Sequence, residues 1–194
     1  MHRRHLLQGG LGLLGLGACG LPVRAEEGFT SPRADAVTLP PAQWKEILTP
    51  MEFQVLREQG TERAFTGDLH AAHADGVFVC AGCGLPLYDS RTKFDSGTGW
   101  PSFWAAIGKD RVAELADHAF GMVRTELRCA RCGGHLGHVF SDGPPPTGQR
   151  HCINSASLDL VPREVGQALE DAGLPVKLGG FDAPAPPAHP KEVP

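Results

Sequence analysis

Cys129-Ala130-Arg131-Cys132-Gly133-Gly134-His135-Leu136-Gly137-His138-Val139-Phe140 sets a Cys-x-x-Cys hook directly before two histidines three residues apart. An earlier hook with the same spacing is Cys80-Ala81-Gly82-Cys83. Each hook can place two sulfurs on one edge of a tetrahedron, about 2.3 Å from a zinc ion. Glycines at 82, 84, 133 and 134 let both turns close around such a metal. The 45 residues between the hooks exceed the spacing of a simple zinc ribbon. One Zn2+ held by Cys80, Cys83, Cys129 and Cys132 would therefore join distant parts of a single domain. Four thiolates leave no open coordination position, so its expected role is structural. Three other readings stand beside this one. The hooks could form two disulfides in an oxidising compartment, or one of them could be a labile redox pair. Cys129, Cys132, His135 and His138 could also make a local zinc site, which leaves Cys80 and Cys83 unexplained.

Around the hooks the chain reads as mainly β. From Gly76 onward, short apolar segments alternate with Gly, Asp and Pro: 77–79, 112–115, 122–127, 139–140, 153 and 158–161. This punctuation predicts short strands in antiparallel sheets. Before them, Pro40 and Pro41 suit a helix start, and Trp44, Ile47 and Leu48 recur at helical spacing. Thr49-Pro50 ends that run and can start a second helix with Phe53, Val55 and Leu56 facing inward. A further helix is expected over 162–172, with Val165, Leu169 and Leu174 on one side. The expected layout is an export signal over 1–25, a polar linker over 26–38, a folded domain over 39–165 and an extension over 166–194 that ends in a Pro-rich tail.

The 194 residues carry a formal charge of −4. Removal of residues 1–25 would take away Arg3, Arg4 and Arg24 and no acid, leaving a more acidic chain. That balance, with no basic stripe, argues against nucleic acid as a partner. Arg3-Arg4 followed by Leu6-Leu7 and a Gly-Leu run is the layout of an export signal, and Arg3-Arg4-His5-Leu6-Leu7 resembles a twin-arginine signal. The run is too short and too Gly-rich for a membrane-spanning helix. Two processing readings compete. Val23-Arg24-Ala25 resembles an ordinary cleavage site, while Leu16-Gly17-Ala18-Cys19 resembles a lipobox in which Cys19 would carry a lipid anchor. Both make the mature protein periplasmic or otherwise exported, and the second is the only expected link to a membrane; a disordered N-terminus with no export is the remaining reading.

Cys152 is the odd cysteine once the hooks are paired. Arg150 and His151 precede it and can lower a thiol pKa when charged. A lone cysteine is more often a buried small apolar residue, and His135 and His138 taken alone are as often structural as catalytic. The loop Gly97-Thr98-Gly99-Trp100-Pro101-Ser102-Phe103-Trp104 can be a turn closing a core or an aromatic wall for an apolar substrate group.

Taken together, Cys80–Leu87, Lys93–Trp104, Leu127–Pro144 and Arg150–Leu158, with the helical stretch Leu48–Asp68 before them, resemble the motif set of the methionine-R-sulfoxide reductase (MsrB) family. The likeness covers about residues 40–162. It implies a β-tent of two antiparallel sheets with short N-terminal helices and a structural zinc at one end. It implies that Cys152 attacks the sulfoxide sulfur of an oxidised protein or peptide, and that His138 protonates the leaving oxygen with His135 beside it. By the same likeness, Asn154 and Arg150 position nucleophile and substrate, Trp100 packs on the substrate methyl group, and Phe140 and Asp142 line the site. The four hook cysteines match the zinc ligands. Many family members carry a resolving cysteine where this chain has Thr98. A sulfenic acid on Cys152 is then expected to be reduced by an external thiol or a thioredoxin-like protein. His151 is a second departure, at a position often aromatic in the family. The rival from another class is a binding module of the same fold in which Cys152 does nothing.

Overall fold

A computed structural model of the chain describes residues 29–118 and 121–172, with side chains to Leu169. The expected export signal, Cys19, Leu174 and the Pro-rich tail lie outside the described residues.

Two short helices open the domain: α1 (Pro41–Ile47) and α2 (Pro50–Glu58). Thr49 starts α2 through a capping box. Its hydroxyl accepts from the Glu52 amide, and the Glu52 carboxylate accepts from the Thr49 amide, so two otherwise orphaned donors at the helix start are satisfied. Trp44, Leu48, Phe53 and Leu56 then face the core, as their spacing predicts.

Among the described residues nine short strands follow in two antiparallel sheets, so the expected mainly-β architecture holds. β1 (Val77–Cys80) is flanked by β2 (Pro86–Asp89) and β9 (Leu158–Val161) in a three-stranded sheet. The larger sheet runs in the order β3 (Lys93–Phe94), β4 (Ser102–Phe103), β8 (Arg150–Ile153), β7 (His135–Phe140), β6 (Arg124–Cys129), β5 (Val112–Asp117). β2, β3 and β4 were absent from the sequence expectation: two are two residues long, and β2 begins at a proline, which removes a ladder donor. Met122 and Val123, expected in a strand, are exposed and precede β6. α3 (Arg163–Ala172) covers the small sheet, with Leu169 packed on Val77, Val79 and Val161. The expected domain boundary at 165 therefore falls inside a helix.

Residues 29–38, within the expected linker, are held against the second hook. Val37 donates its amide to the Arg131 carbonyl at 3.0 Å, and the Ser31 hydroxyl donates to the Ala130 carbonyl at 2.6 Å. Asp35 accepts from the buried Arg131 guanidinium at 2.8 Å. That guanidinium sits inside the second hook with little water, and the segment supplies its counter-charge. The segment is thus a strap across the hook.

Candidate active site and metal centre

The four hook cysteines come together at the junction of the two sheets. Cys80 and Cys83 sit at the β1–β2 turn, Cys129 and Cys132 at the β6–β7 turn, and all four are buried with free thiols. Their sulfurs lie within 4.8 Å of one another, at 3.7 Å for Cys80–Cys132 and 3.5 Å for Cys83–Cys129. A tetrahedron with metal–sulfur bonds of about 2.3 Å has edges of roughly 3.8 Å, so the cluster fits one metal ion. Arg57 donates to the Cys132 sulfur at 3.2 Å and to its carbonyl at 3.0 Å while lying over the Trp44 ring. Sequence reading gave Arg57 no role, because nothing in a helical pattern marks which charged side chain turns toward a thiolate cluster. The alternative metal set with His135 and His138 does not form: their ring nitrogens bond to carboxylates instead.

A row of four residues crosses the middle of the large sheet, one from each of four neighbouring strands. Ser102 on β4 is the register partner of Cys152 on β8, Cys152 of His138 on β7, and His138 of Glu126 on β6. Partners in an antiparallel ladder project to the same face, so these four side chains share one side of the sheet. β7 can lie this close because residue 137 is glycine: a Cβ there would collide with the Cys152 carbonyl oxygen. A bulge in the β6–β7 ladder pairs Leu127 with Gly137 but Arg128 with His135, skipping Leu136. The extra residue shifts the alternation and brings the two imidazoles together, their centroids 5.5 Å apart.

Each histidine has its own carboxylate. His135 Nδ1 lies 2.6 Å from Glu126 Oε1, which also accepts from Arg128 at 3.0 Å. Burial pushes the Glu126 carboxyl up, but its bonds to His135 and Arg128 outweigh this and hold it below the ordinary value. His138 Nε2 lies 2.8 Å from Asp117 Oδ2, and Arg124 donates to the same oxygen at 2.7 Å. Burial pulls the His138 imidazole below its usual value in spite of Asp117. The two histidines, Asp117, Arg124 and Glu126, with Gln59 and Thr61, line a polar cavity of about 150 Å³. Asp117 and Glu126 were missed from sequence, since single acids in strands carry no motif.

On the other side of Cys152, Arg150 is gripped by both oxygens of Asp142 at 2.9 Å each and lies over the Phe140 ring, 4.5 Å from its centroid. Thr98 Oγ1 is 4.0 Å from the Cys152 sulfur. A cleft of about 370 Å³ opens here between Phe94–Thr98 and Asp142–Pro144. The Cys152 thiol is pushed up by burial, against the pull of Arg150 and Thr98. The expectation that both flanking cations would lower it needs correcting for His151. That residue points to the opposite face, where it stands edge-on to Tyr88 and lies 3.2 Å from its hydroxyl. Burial pushes the His151 imidazole down to about 4, so it is neutral near pH 7.

Trp100 and Asn154 are tied to one further residue, Glu62. The Trp100 indole donates to the Glu62 carbonyl at 3.2 Å, and Asn154 Oδ1 accepts the Glu62 amide at 3.0 Å. The Asn154 amide group donates to the Leu136 carbonyl at 3.0 Å. Asn154 is thus hydrogen-bonded to backbone at both ends and ties β7 to the chain after α2. The buried Glu62 carboxylate accepts the amides of Ser155 and Ala156 at 2.6 and 2.9 Å.

Comparison with known proteins adds a family match. A protein-family model described as the SelR domain matches residues 48–162. Three curated relatives bear the name peptide methionine sulfoxide reductase MsrB. The chain is 59% identical over 123 residues to the one from Thiobacillus denitrificans, and 57% identical over 122 residues to the one from Pseudomonas fluorescens. It is 54% identical over 122 residues to one from Pseudomonas putida. Each alignment covers 63% of this chain and 93% of the relative.

Proposed function

We propose, on the premise that this chain belongs to the SelR-domain family of MsrB reductases, that it reduces methionine-R-sulfoxide in oxidised proteins or peptides, with Cys152 as the nucleophile. The observation that carries the reading is the cross-strand row in which Cys152 stands between His138 and Ser102.

Cys152 attacks the sulfoxide sulfur as a thiolate, and the oxygen leaves toward a proton. His138 is the group beside it that can give one, and Asp117 steadies the imidazolium. The oxygen ends on the Cys152 sulfur as a sulfenic acid, and methionine departs. The proton lost by the thiol is returned on the sulfenic acid, so this half-reaction consumes none. One external thiol then attacks the sulfenic acid with loss of water, and a second thiol releases the mixed disulfide. A thioredoxin-like protein or a small thiol would serve. Among the described residues the remaining cysteines are the four buried hook thiols, which favours an external reductant. The Trp100 ring, held through its indole N–H, offers an apolar wall to the S-methyl group, and Arg150, Asp142 and Phe140 build the opposite wall. One apolar wall facing one hydrogen-bonding wall selects a single sulfur epimer.

Zinc in the four-cysteine cluster would tie the two sheets together and take no part in the reaction. The N-terminal pattern supports export, with cleavage after Ala25 or lipidation at Cys19.

The test uses the purified, zinc-loaded protein with separate R and S epimers of a methionine sulfoxide peptide, dithiothreitol, and Cys152→Ser as control. Reduction of the R epimer alone, lost in the variant, is expected. Turnover that survives in Cys152→Ser rejects the proposal.

A further inference from the structure

We propose that Thr98 is a positioning residue for Cys152, and that Ser96 competes with the reacting sulfur for the Thr98 hydroxyl proton. The inference rests on Cys152 being that sulfur.

Four contacts form one chain. Cys152 Sγ is 4.0 Å from Thr98 Oγ1, Thr98 Oγ1 is 2.8 Å from Ser96 Oγ, and Ser96 Oγ is 2.7 Å from Ser102 Oγ. Ser102 Oγ is 3.2 Å from the Trp100 carbonyl oxygen. The far end accepts only, since a carbonyl has no proton to give. With Cys152 as a thiol, four protons serve four links, and all are satisfied only when every donor points toward Trp100. Thr98 then donates to Ser96 and turns its lone pair to the sulfur. With Cys152 as a thiolate, three protons remain for four links and both ends of the chain accept. When Thr98 donates to sulfur, one of the other three links must open, and if Ser96 and Ser102 turn as well it is the longest of those three, the 3.2 Å contact to the Trp100 carbonyl. A hydrogen bond to an anion is stronger than one between neutral groups, so the reversed chain favours the thiolate. The loss of that carbonyl link limits the gain.

The backbone holds this arrangement. Gly97 and Gly99 flank Thr98 with φ of 70° and 88°, conformations that side-chain-bearing residues rarely adopt. Asp95 Oδ1 accepts the Gly97 amide at 2.9 Å. Ser102 is fixed as the register partner of Cys152. The other charged or titratable groups facing the sulfur are Arg150 on its own strand, His138 on β7 and Asp142 in the loop beyond β7. Asp142 is already paired with Arg150. Those groups are common to every variant below, so they shift no comparison.

The proton affinity of Cys152 is read directly from the pH dependence of its alkylation by iodoacetamide in the full-length, zinc-loaded protein, with the modified peptide identified by mass. Thr98→Val removes the donor and moves the midpoint to higher pH, slowing alkylation at pH 7 on the order of threefold to tenfold. Ser96→Ala removes the competitor, frees the Thr98 proton for sulfur and moves the midpoint the other way by a similar factor. Thr98→Ser keeps the hydroxyl and stays close to the parent. A general loosening of the loop would move Thr98→Val and Ser96→Ala in the same direction. That result, or no movement in either, overturns the proposal. Alkylation reports the thiol whether or not the protein turns over a sulfoxide, so this failure is separable from failure of the catalytic reading.

Discussion

His138 faces Cys152 across the β7–β8 ladder, and its Nε2 is held 2.8 Å from Asp117 Oδ2. With the imidazole pulled below its usual value and the thiol pushed above, both groups are neutral near pH 7. The reactive pair, imidazolium with thiolate, holds the same number of protons as the resting pair. The kcat/KM profile should therefore be level between the two pKa values and fall on both sides. His138→Asn is expected to lower kcat by about 10²–10³. Asp117→Asn should leave a lower plateau that extends further into acid, because the imidazolium loses its counter-charge. Both are read from R-epimer reduction across pH.

Glu62 joins three segments through one side chain and its own peptide groups. Its carboxylate caps Ser155 and Ala156, its amide meets Asn154 and its carbonyl holds Trp100. Glu62→Ala strands two amides with restricted access to water, and is expected to destabilise the fold by about 2–3 kcal/mol. It should also raise KM through the loosened Trp100 ring. Urea unfolding and steady-state kinetics check the two effects separately.

The cross-strand row was only partly legible in the sequence. The hooks were readable because Cys-x-x-Cys spacing carries its own geometry, and α2 because Thr49 and Glu52 announce a helix start. Cys152, Trp100 and the histidines were named through the family likeness, not through periodicity. Asp117 and Glu126 escaped because they gain meaning only when β5, β6 and β7 pair. His151 was misjudged because sequence adjacency to Cys152 suggests proximity, whereas strand alternation sends neighbours to opposite faces. The contacts of the strap over 29–38 carry no sequence signal, because its polar groups find their partners only on a folded hook.

His151 gives a pH signature of stability. Its folded pKa, about 4, lies below the ordinary histidine value of 6.5. The unfolded chain therefore binds the proton more tightly, and stability falls as pH drops from about 6.5 toward 4. At pH 5 the loss should be about 2 kcal/mol. The double variant Tyr88→Phe with His151→Phe leaves no hydroxyl without its partner and should flatten that slope. Thermal unfolding at pH 7 and pH 5 is the measurement, and an unchanged slope would refute the assignment.

Metal removal should unfold the junction of the sheets. Four buried thiols, with the Arg57 guanidinium turned toward Cys132, lose their common centre when a chelator withdraws zinc. A fall in Tm of more than about 10 °C is expected, with one equivalent of zinc released per chain. Cys83→Ser should reproduce the loss without chelator.

The cross-strand row makes the chemistry depend on hydrogen-bond register. Side chains in β8 alternate between the core and the site, so a slip of one residue against β7 would bury the sulfur and present the imidazole of His151 in its stead. A misaligned molecule would keep its strands and its four-cysteine cluster and yet present no thiol to the cleft. Bulk measures of folding would scarcely register such a population, whereas counting titratable active sites would reveal it at once.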